Sequence, residues 1–252
     1  MTHVITDPIF YAVAIPAVVF LGLAKGGFSA LTTGATPLLA LYLPPLEAAA
    51  LLLPIVVCQD AISVYVYRRE WSVWNLKVLL PGAVIGIVLG WLFAASVSDD
   101  AIRILVGGTS LGFVASVWIR PKYGEKSGGN AFQGLFWGVV SGFTSFASQG
   151  GGPPFQVFTL PQRLPKMVFV GTTTIFFAAV NLMKVVPYMM LGQFSLKNFS
   201  TSLTLLPVAV VMNFVGIWMV RTVPTKIFYE VSYILLTILG AALLWQGSRN
   251  IL

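Results

Sequence analysis

Long apolar runs dominate this sequence and leave only short polar connectors between them. The runs occupy residues 9–24, 30–43, 48–67, 76–95, 101–119, 131–147, 153–160, 167–191, 199–220 and 227–245. A helix that crosses a bilayer needs about 20 consecutive apolar residues, and most of the runs are close to that length. The runs are continuous rather than alternating in polarity, which argues against a transmembrane β-barrel. We therefore predict an all-α integral membrane protein that crosses the membrane several times.

Composition excludes several classes of function. Only 9% of the residues are charged, whereas soluble domains carry about 25%. The formal net charge is +7, but the basic residues are scattered through short loops, so no nucleic-acid partner is expected. The single cysteine, Cys58, lies in an apolar run and is expected to be buried, and the single histidine, His3, lies near the amino terminus. The sequence thus predicts no disulfide, no metal site, no histidine-dependent enzyme and, without nucleotide-binding motifs, no cofactor.

An internal repeat becomes visible when the chain is aligned with itself at a shift of 116 residues. At this shift Gly22, Gly26, Pro37 and Pro45 fall on Gly138, Gly142, Pro153 and Pro161. Small insertions extend the register to Asp60 with Asn181, Tyr67 with Tyr188, Asn75 with Asn198, Pro81 with Pro207 and Gly90 with Gly216. The same order over the whole length favours a duplication. The sequence predicts a first membrane repeat over residues 1–120, a cytoplasmic linker over 121–130 and a second membrane repeat over 131–252.

Each half contains a hairpin of two short apolar segments followed by three long ones. A hairpin that returns to its starting side leaves three net crossings per half, so the two repeats would be inverted. The loop charges favour this arrangement, because an external amino terminus gathers most loop lysines and arginines in the cytoplasm. The predicted cytoplasmic residues are Arg68, Arg69, Lys77, Arg120, Lys122, Lys126, Arg163, Lys166, Arg221 and Lys226. The alternative is a pair of parallel repeats with four crossings each, which would move the last four of these residues outside.

Two glycine-rich breaks join the short segments, at residues 25–37 (KGGFSALTTGATP) and 141–154 (SGFTSFASQGGGPP). Glycines interrupt a helix and free backbone N–H groups, and a following proline starts a new helix whose positive dipole end faces the break. With Thr32, Thr33, Ser148 and Gln149 beside them, the two breaks are predicted to form a cradle for an anion. The alternative is that they are tight interhelical turns whose glycines serve packing.

Three ionisable residues, Asp60, Lys184 and Lys25, lie within or at the end of apolar segments, where a charge is costly and usually functional. Lys184 follows Asn181 by three residues, so the two share a helix face. We expect Lys184 and Asn181 to bind an anion at a central cavity, and Asp60 to act in proton coupling or to hold the lysine. The alternatives are a structural ion pair of Asp60 with Lys184, a Lys184 side chain that reaches an interface, and an interfacial Lys25.

Glycines at four-residue spacing mark expected close contacts between helices. They are Gly22 and Gly26, then Gly82, Gly86 and Gly90, then Gly134, Gly138 and Gly142. Small residues at this spacing let helix backbones approach one another. The contacts are expected within the protomer or in a homodimer.

The duplicated, proline-terminated glycine hairpins, the length of 252 residues and the placement of polar residues resemble the sulfite exporter TauE/SafE family of membrane permeases. The resemblance covers about residues 9–244 and implies movement, usually export, of sulfur-containing anions such as sulfite, sulfonates or sulfoacetate. By the resemblance, the substrate-binding positions include Gly26, Gly27, Pro37, Gly150, Gly151, Gly152 and Pro153. The first break has TGAT at 33–36 where the second has QGGG at 149–152, so it departs from the triple-glycine pattern.

Together these features predict a secondary transporter, not an enzyme, that moves a small sulfur-containing oxyanion by alternating access. Its expected partners are the anionic substrate and the lipid bilayer. One alternative is a carrier or channel for another small solute or a metal cation, for which Asp60 rather than Lys184 would be essential. Another is a non-transporting membrane assembly factor, which would not need the charged residues. An intramembrane enzyme is disfavoured, because no usable histidine or paired catalytic carboxylate is present.

Overall fold

The computed structural model describes residues 4–25, 32–39, 42–43, 45–93, 98–119 and 129–249. Within these residues the chain forms ten α-helices and one 3-10 turn, and no strand. The helices are α1 (Pro8–Ala24), α2 (Thr32–Leu39), α3 (Pro45–Tyr67), α4 (Val73–Leu92), α5 (Asp99–Ile119), α6 (Ala131–Ser148), α7 (Gly152–Thr159), α8 (Lys166–Met190), α9 (Leu196–Thr222) and α10 (Thr225–Arg249), and the 3-10 turn (Leu160–Gln162) follows α7. Each helix matches one of the apolar runs, which confirms the prediction of an all-α protein.

Helix length separates the spanning segments from the hairpins. In the described part, α3 from Glu47 onward, α4, α8 and α9 are long and apolar enough to cross a membrane. In contrast, α2 and α7 have 8 residues each, which makes each about 12 Å long. The hydrocarbon core is about 30 Å thick, so neither α2 nor α7 can cross it alone.

Local side-chain caps explain where several helices begin. Ser72 precedes α4 and accepts a hydrogen bond from the backbone N–H of Asn75. Ser195 precedes α9 and accepts one from the N–H of Asn198 in the same way. These two pairs correspond in the repeat alignment, and such caps satisfy N–H groups that a helix start leaves unpaired. Asn130 starts α6 with a full capping box.

The glycine faces pack helices of one half against helices of the other. A Cβ atom on Gly138 or Gly142 of α6 would overlap the backbone of Leu79 or Ala83 in α4. A Cβ atom on Gly22 of α1 would overlap Met212 in α9. The glycines therefore allow α4 to contact α6 and α1 to contact α9 within one protomer, as small residues at this spacing commonly do. The homodimer stays a prediction.

The main helix contacts correspond when the two halves are exchanged. The contact of α1 with α9 corresponds to that of α6 with α4, and the contact of α3 with α9 to that of α8 with α4. Exchanging the halves also converts the contact of α3 with α8 into itself, and likewise the contact of α5 with α10, because each joins two equivalent helices. Of the four candidate spans, α3 and α8 are the most buried. They bring the middle of each half to the centre of the molecule.

Cys58 is a correction to the sequence prediction, because it is exposed rather than buried. It lies two residues before Asp60 on α3, and two residues turn a helix by about 200°. The face of α3 that buries Asp60 therefore turns Cys58 away from the core.

Candidate functional site

A cavity lies between the two halves, where the helix ends of both hairpins approach α3 and α8. The space between its walls, counted together with the open solvent at its mouth, is about 480 Å³. The first half contributes Leu21, Ala24, Lys25, Thr32 and Val56, and the second half contributes Ser145, Gln149, Thr173, Thr174, Phe177 and Asn181. The wall is apolar apart from a few convergent polar groups, which is the usual character of a small-molecule site.

On one side of the cavity, Asp60 holds together groups from three helices. The ammonium group of Lys25, directly after α1, forms a salt bridge with Asp60 Oδ1 on α3. Asn181 on α8 donates a hydrogen bond from Nδ2 to Asp60 Oδ2, at 2.6 Å. Lys25 is 7% exposed, Asp60 4% and Asn181 2%. Asp60 therefore pairs with Lys25 and not with Lys184, and Lys25 is buried rather than interfacial.

Lys184 lies behind the part of the cavity wall that Ser145 and Gln149 form, and it is fully buried. Its Nζ atom donates to the backbone oxygen and to Oγ of Ser145, both at 3.1 Å, and to Oε1 of Gln149 at 2.6 Å. These three bonds use all three N–H groups of the ammonium. Lys184 does not line the cavity itself, but it fixes the orientation of two residues that do.

The second glycine-rich break is ordered around Gln149, which ends α6 in the left-handed conformation at φ 57°. The backbone N–H of Gly150 donates to Thr144 O, at 3.1 Å, and is therefore not free for an anion. The hydroxyl of Ser141 donates to Gly151 O, at 2.8 Å. Gly151 is tightly enclosed, since an added Cβ would lie 2.7 Å from Ser141 O and 2.8 Å from Ser145 Cβ.

Several predicted binding residues of the second break lie away from the cavity. Gly150, Gly151, Gly152 and Pro153 are buried but do not line it. Ser148 also lies outside the lining, and its hydroxyl donates to Thr144 O, at 3.3 Å. The second break therefore reaches the cavity through the side chains of Ser145 and Gln149.

The first break lies mostly outside the described residues. Gly26 and Gly27 lie outside the described residues, in the gap at 26–31. Positions 121–128 of the predicted linker also lie outside them. Thr33 and Pro37 belong to the backbone of α2, and their side chains lie outside the description. Thr32, at the start of α2, lines the cavity.

Sequence reasoning missed Ser145, Thr173 and Thr174. The hydroxyl of Thr173 donates a hydrogen bond to Phe169 O in the same helix, at 2.8 Å. The side chain of Thr174 makes no hydrogen bond with another residue that the structure describes. Thr174 precedes Asn181 by seven residues, a spacing that puts both on one helix face and could have identified it.

The buried charges of the site do not cancel. Counted with their ordinary ionisation, Lys25, Asp60 and Lys184 carry two positive charges and one negative charge, which leaves one excess positive charge beside the cavity. Buried charges without a partner of opposite sign are costly and usually have a function. An anion in the cavity would balance this cluster.

Comparisons with known proteins identify the family. The family model described as "Sulfite exporter TauE/SafE" matches residues 13–243, nearly the whole chain. No curated protein and no solved structure gives a significant match. This family consists of membrane permeases that export sulfur-containing anions, which agrees with the candidate spans and makes the chain a multi-pass membrane protein. The chain belongs to the sulfite exporter TauE/SafE family.

Proposed function

We propose that this protein is a secondary transporter that exports a small sulfur-containing oxyanion across the bacterial inner membrane by alternating access. The substrate class comprises sulfite, sulfonates and sulfoacetate. The observation that carries the proposal is the cavity between the two halves, which lies beside one excess positive charge and is lined by hydrogen-bond donors. The family match supports the same class of substrate.

The orientation of the polar groups supports an anion as the ligand. Lysine can only donate, so the bonds from Lys184 turn Oγ of Ser145 and Oε1 of Gln149 toward the lysine. The hydroxyl proton of Ser145 and one N–H of Gln149 Nε2 are then left for the cavity, since Nε2 makes only one long bond of 3.4 Å to Ala49 O. A donor that itself accepts from a cation is strengthened by polarisation.

Lys25 supplies the direct charge. Its ammonium donates to Asp60 and makes no other hydrogen bond with a residue that the structure describes, so its remaining N–H groups can contact an oxyanion. Thr174 adds a hydroxyl. The proposed contacts are therefore Lys25, Ser145, Gln149, Thr174 and Asn181, with Lys184 as the residue that positions Ser145 and Gln149.

The remaining predicted residues keep different roles in this proposal. Asp60 is the coupling residue, because protonation of its carboxylate would release Lys25 and Asn181 together. Thr32 lines the cavity beside the first break. Gly150, Gly151, Gly152 and Pro153 shape the backbone that presents Gln149 to the cavity.

We propose the two halves, residues 1–120 and 131–252, as inverted repeats joined by a cytoplasmic linker at 121–130. The main helix contacts, which correspond when the halves are exchanged, support the repeat. The distribution of loop lysines and arginines supports the inversion. A metal cation is a poorer substrate, because Asp60 is occupied by Lys25 and Asn181 and the cluster is already positive.

The test is transport by the purified full-length chain in proteoliposomes. We expect flux of sulfite or a short sulfonate, and none of a metal cation. Lys184→Gln should lower anion affinity by about tenfold or more, because charged hydrogen bonds that set the donors are lost. Lys77→Gln, at an exposed lysine of α4, is the matched control and should leave affinity unchanged. Absence of flux and binding for all sulfur oxyanions in the folded wild-type protein would overturn the proposal.

A further inference from the structure

One residue that lines the cavity has a buried hydrogen-bond acceptor, which a simple anion cannot satisfy because it has no donor. Asn181 lines the cavity and is 2% exposed. Its Oδ1 atom is buried and receives no hydrogen bond from any residue that the structure describes. A buried acceptor without a donor is costly, and such atoms call for an explanation.

The orientation of this amide is fixed by its neighbour. The oxygen and nitrogen of an asparagine side chain are distinguished by their hydrogen bonds. The atom of Asn181 that faces Asp60 Oδ2 lies 2.6 Å from it, and the carboxylate is paired with the ammonium of Lys25. An ionised carboxylate can only accept, so the facing atom is the NH2 nitrogen. The unpartnered atom is therefore the oxygen, an acceptor.

This acceptor differs from the other polar groups proposed to contact the anion. Lys25, Ser145, Gln149 and Thr174 offer donors to the cavity, whereas Asn181 Oδ1 can only receive one. A ligand made only of acceptor oxygens, such as a fully ionised oxyanion, leaves Oδ1 unpaired. A ligand that also carries one O–H or N–H group satisfies it.

We infer that the site prefers a singly charged sulfur oxyanion that carries its own hydrogen-bond donor, which Asn181 Oδ1 accepts. This inference rests on the proposed function and narrows its substrate class. The donor belongs either to a protonated oxyanion, such as hydrogen sulfite, or to a hydroxyl group on a short sulfonate. The single negative charge matches the single excess positive charge of Lys25, Asp60 and Lys184. Oδ1 is enclosed in this state, so the inference requires a shift of the Asn181 side chain that opens Oδ1 to the ligand while Nδ2 stays on Asp60.

The experiment compares three sulfonates with the same number of non-hydrogen atoms on the purified full-length protein. They are 1-propanesulfonate, 2-hydroxyethanesulfonate and 2-aminoethanesulfonate, with Kd measured by calorimetry. We expect 2-hydroxyethanesulfonate to bind about fivefold to tenfold more tightly than 1-propanesulfonate, the value of one hydrogen bond. 2-Aminoethanesulfonate also carries a donor but is a zwitterion without net charge, so it should bind more weakly than 2-hydroxyethanesulfonate.

A protonated inorganic oxyanion is tested by pH. As pH rises, hydrogen sulfite loses its proton, and the affinity for total sulfite should fall. The affinity for 1-propanesulfonate at the same pH values is the reference. If both affinities change in parallel, the preference for hydrogen sulfite is overturned, because the change then comes from the protein and not from protonation of the ligand.

Two variants assign the preference to one residue. Asn181→Leu should remove the preference, so that 2-hydroxyethanesulfonate and 1-propanesulfonate bind to the variant with Kd values within about twofold of each other. Asn198→Leu is the matched control, since Asn198 is also buried with Oδ1 unpartnered among the described residues but does not line the cavity. It should retain the preference.

The outcomes separate this inference from the proposed function. Equal binding of the three sulfonates by the wild-type protein overturns the inference alone, and this result needs no variant to fold. A preference that survives in Asn181→Leu overturns the role of Asn181. Binding of none of the sulfonates or of sulfite overturns the proposed function, and the inference with it.

Discussion

The two glycine-rich breaks reach the cavity by different chemistry. The first break begins at Lys25, whose own charge pairs with Asp60. The second break has the uncharged Gln149 at its turn and obtains its charge from Lys184, which lies on α8. Similar sequence patterns at corresponding positions therefore do not imply similar roles. The first break presents a cation directly, and the second presents neutral donors that a cation on another helix orients.

The largest effect is expected from breaking the charged contact of the first break. Lys25→Met leaves the Asp60 carboxylate buried without its ammonium partner, which costs about 3–5 kcal/mol in comparable buried pairs. Asp60→Asn in the same chain removes the uncompensated charge and should restore much of the stability. Thermal unfolding of both proteins measures this. Equal loss in the single and double variants would show that Lys25 does not act through Asp60.

A smaller effect is expected from overfilling the second break. An added Cβ at Gly151 would lie 2.7 Å from Ser141 O and 2.8 Å from Ser145 Cβ. Gly151→Ala should therefore shift Ser145, lower stability by about 1–3 kcal/mol and weaken anion binding. Gly108→Ala is the control, because nothing lies within 4 Å of a Cβ there. If the two variants unfold at the same temperature, the second break is not closely packed.

The turn residue of the second break allows binding and stability to be separated. Gln149→Gly relieves the left-handed backbone by about 1 kcal/mol but removes the oxygen that Lys184 bonds. We expect a small change in stability and an anion affinity lowered about tenfold. Arg163 is an exposed residue that is also left-handed, at φ 45°, so Arg163→Gly should gain stability without a change in affinity. Unchanged affinity in Gln149→Gly would remove this residue from the site.

The smallest effect concerns the ends of the first hairpin, where the Tyr42 hydroxyl donates to Asp7 Oδ2 at 2.7 Å. The hydrogen bonds from Tyr42 and from the Ile9 backbone lower the pKa of Asp7 from 3.8, and the bond with Asp7 raises the pKa of Tyr42 from 10.0. A lowered carboxyl pKa stabilises the fold above about pH 3.8 and ceases to do so as pH falls through the folded value. A raised tyrosine pKa stabilises it below about pH 10 and ceases to do so as pH rises through the folded value.

Tyr42→Phe tests this pair. We expect the variant to unfold at a slightly lower temperature than the wild type near neutral pH, with the difference disappearing in acid. If the unfolding temperatures of the two proteins differ by the same amount at both pH values, the ionisation of Asp7 does not contribute to stability through Tyr42.

Local sequence determined the helices and the residues that carry charge. Each apolar run became one helix, because run length and capping residues such as Ser72 and Ser195 act within a few residues of the chain. The cost of a buried charge likewise identified Lys25, Asp60 and Lys184 as unusual without knowledge of their neighbours. The family was identifiable for the same reason, since its glycine and proline pattern is a property of the chain.

Only the tertiary structure decided which of these residues meet. The choice of Lys25 over Lys184 as the partner of Asp60, the place of Lys184 behind Ser145 and Gln149, and the unpartnered oxygen of Asn181 all depend on how α1, α3, α6 and α8 pack. Cys58 was misjudged for a related reason, because hydropathy reports that a helix is apolar but not which of its faces turns inward. Hydrogen bonds and ion pairs extend over about 3–4 Å, so their partners are fixed by the distances between helices and not by distance along the chain.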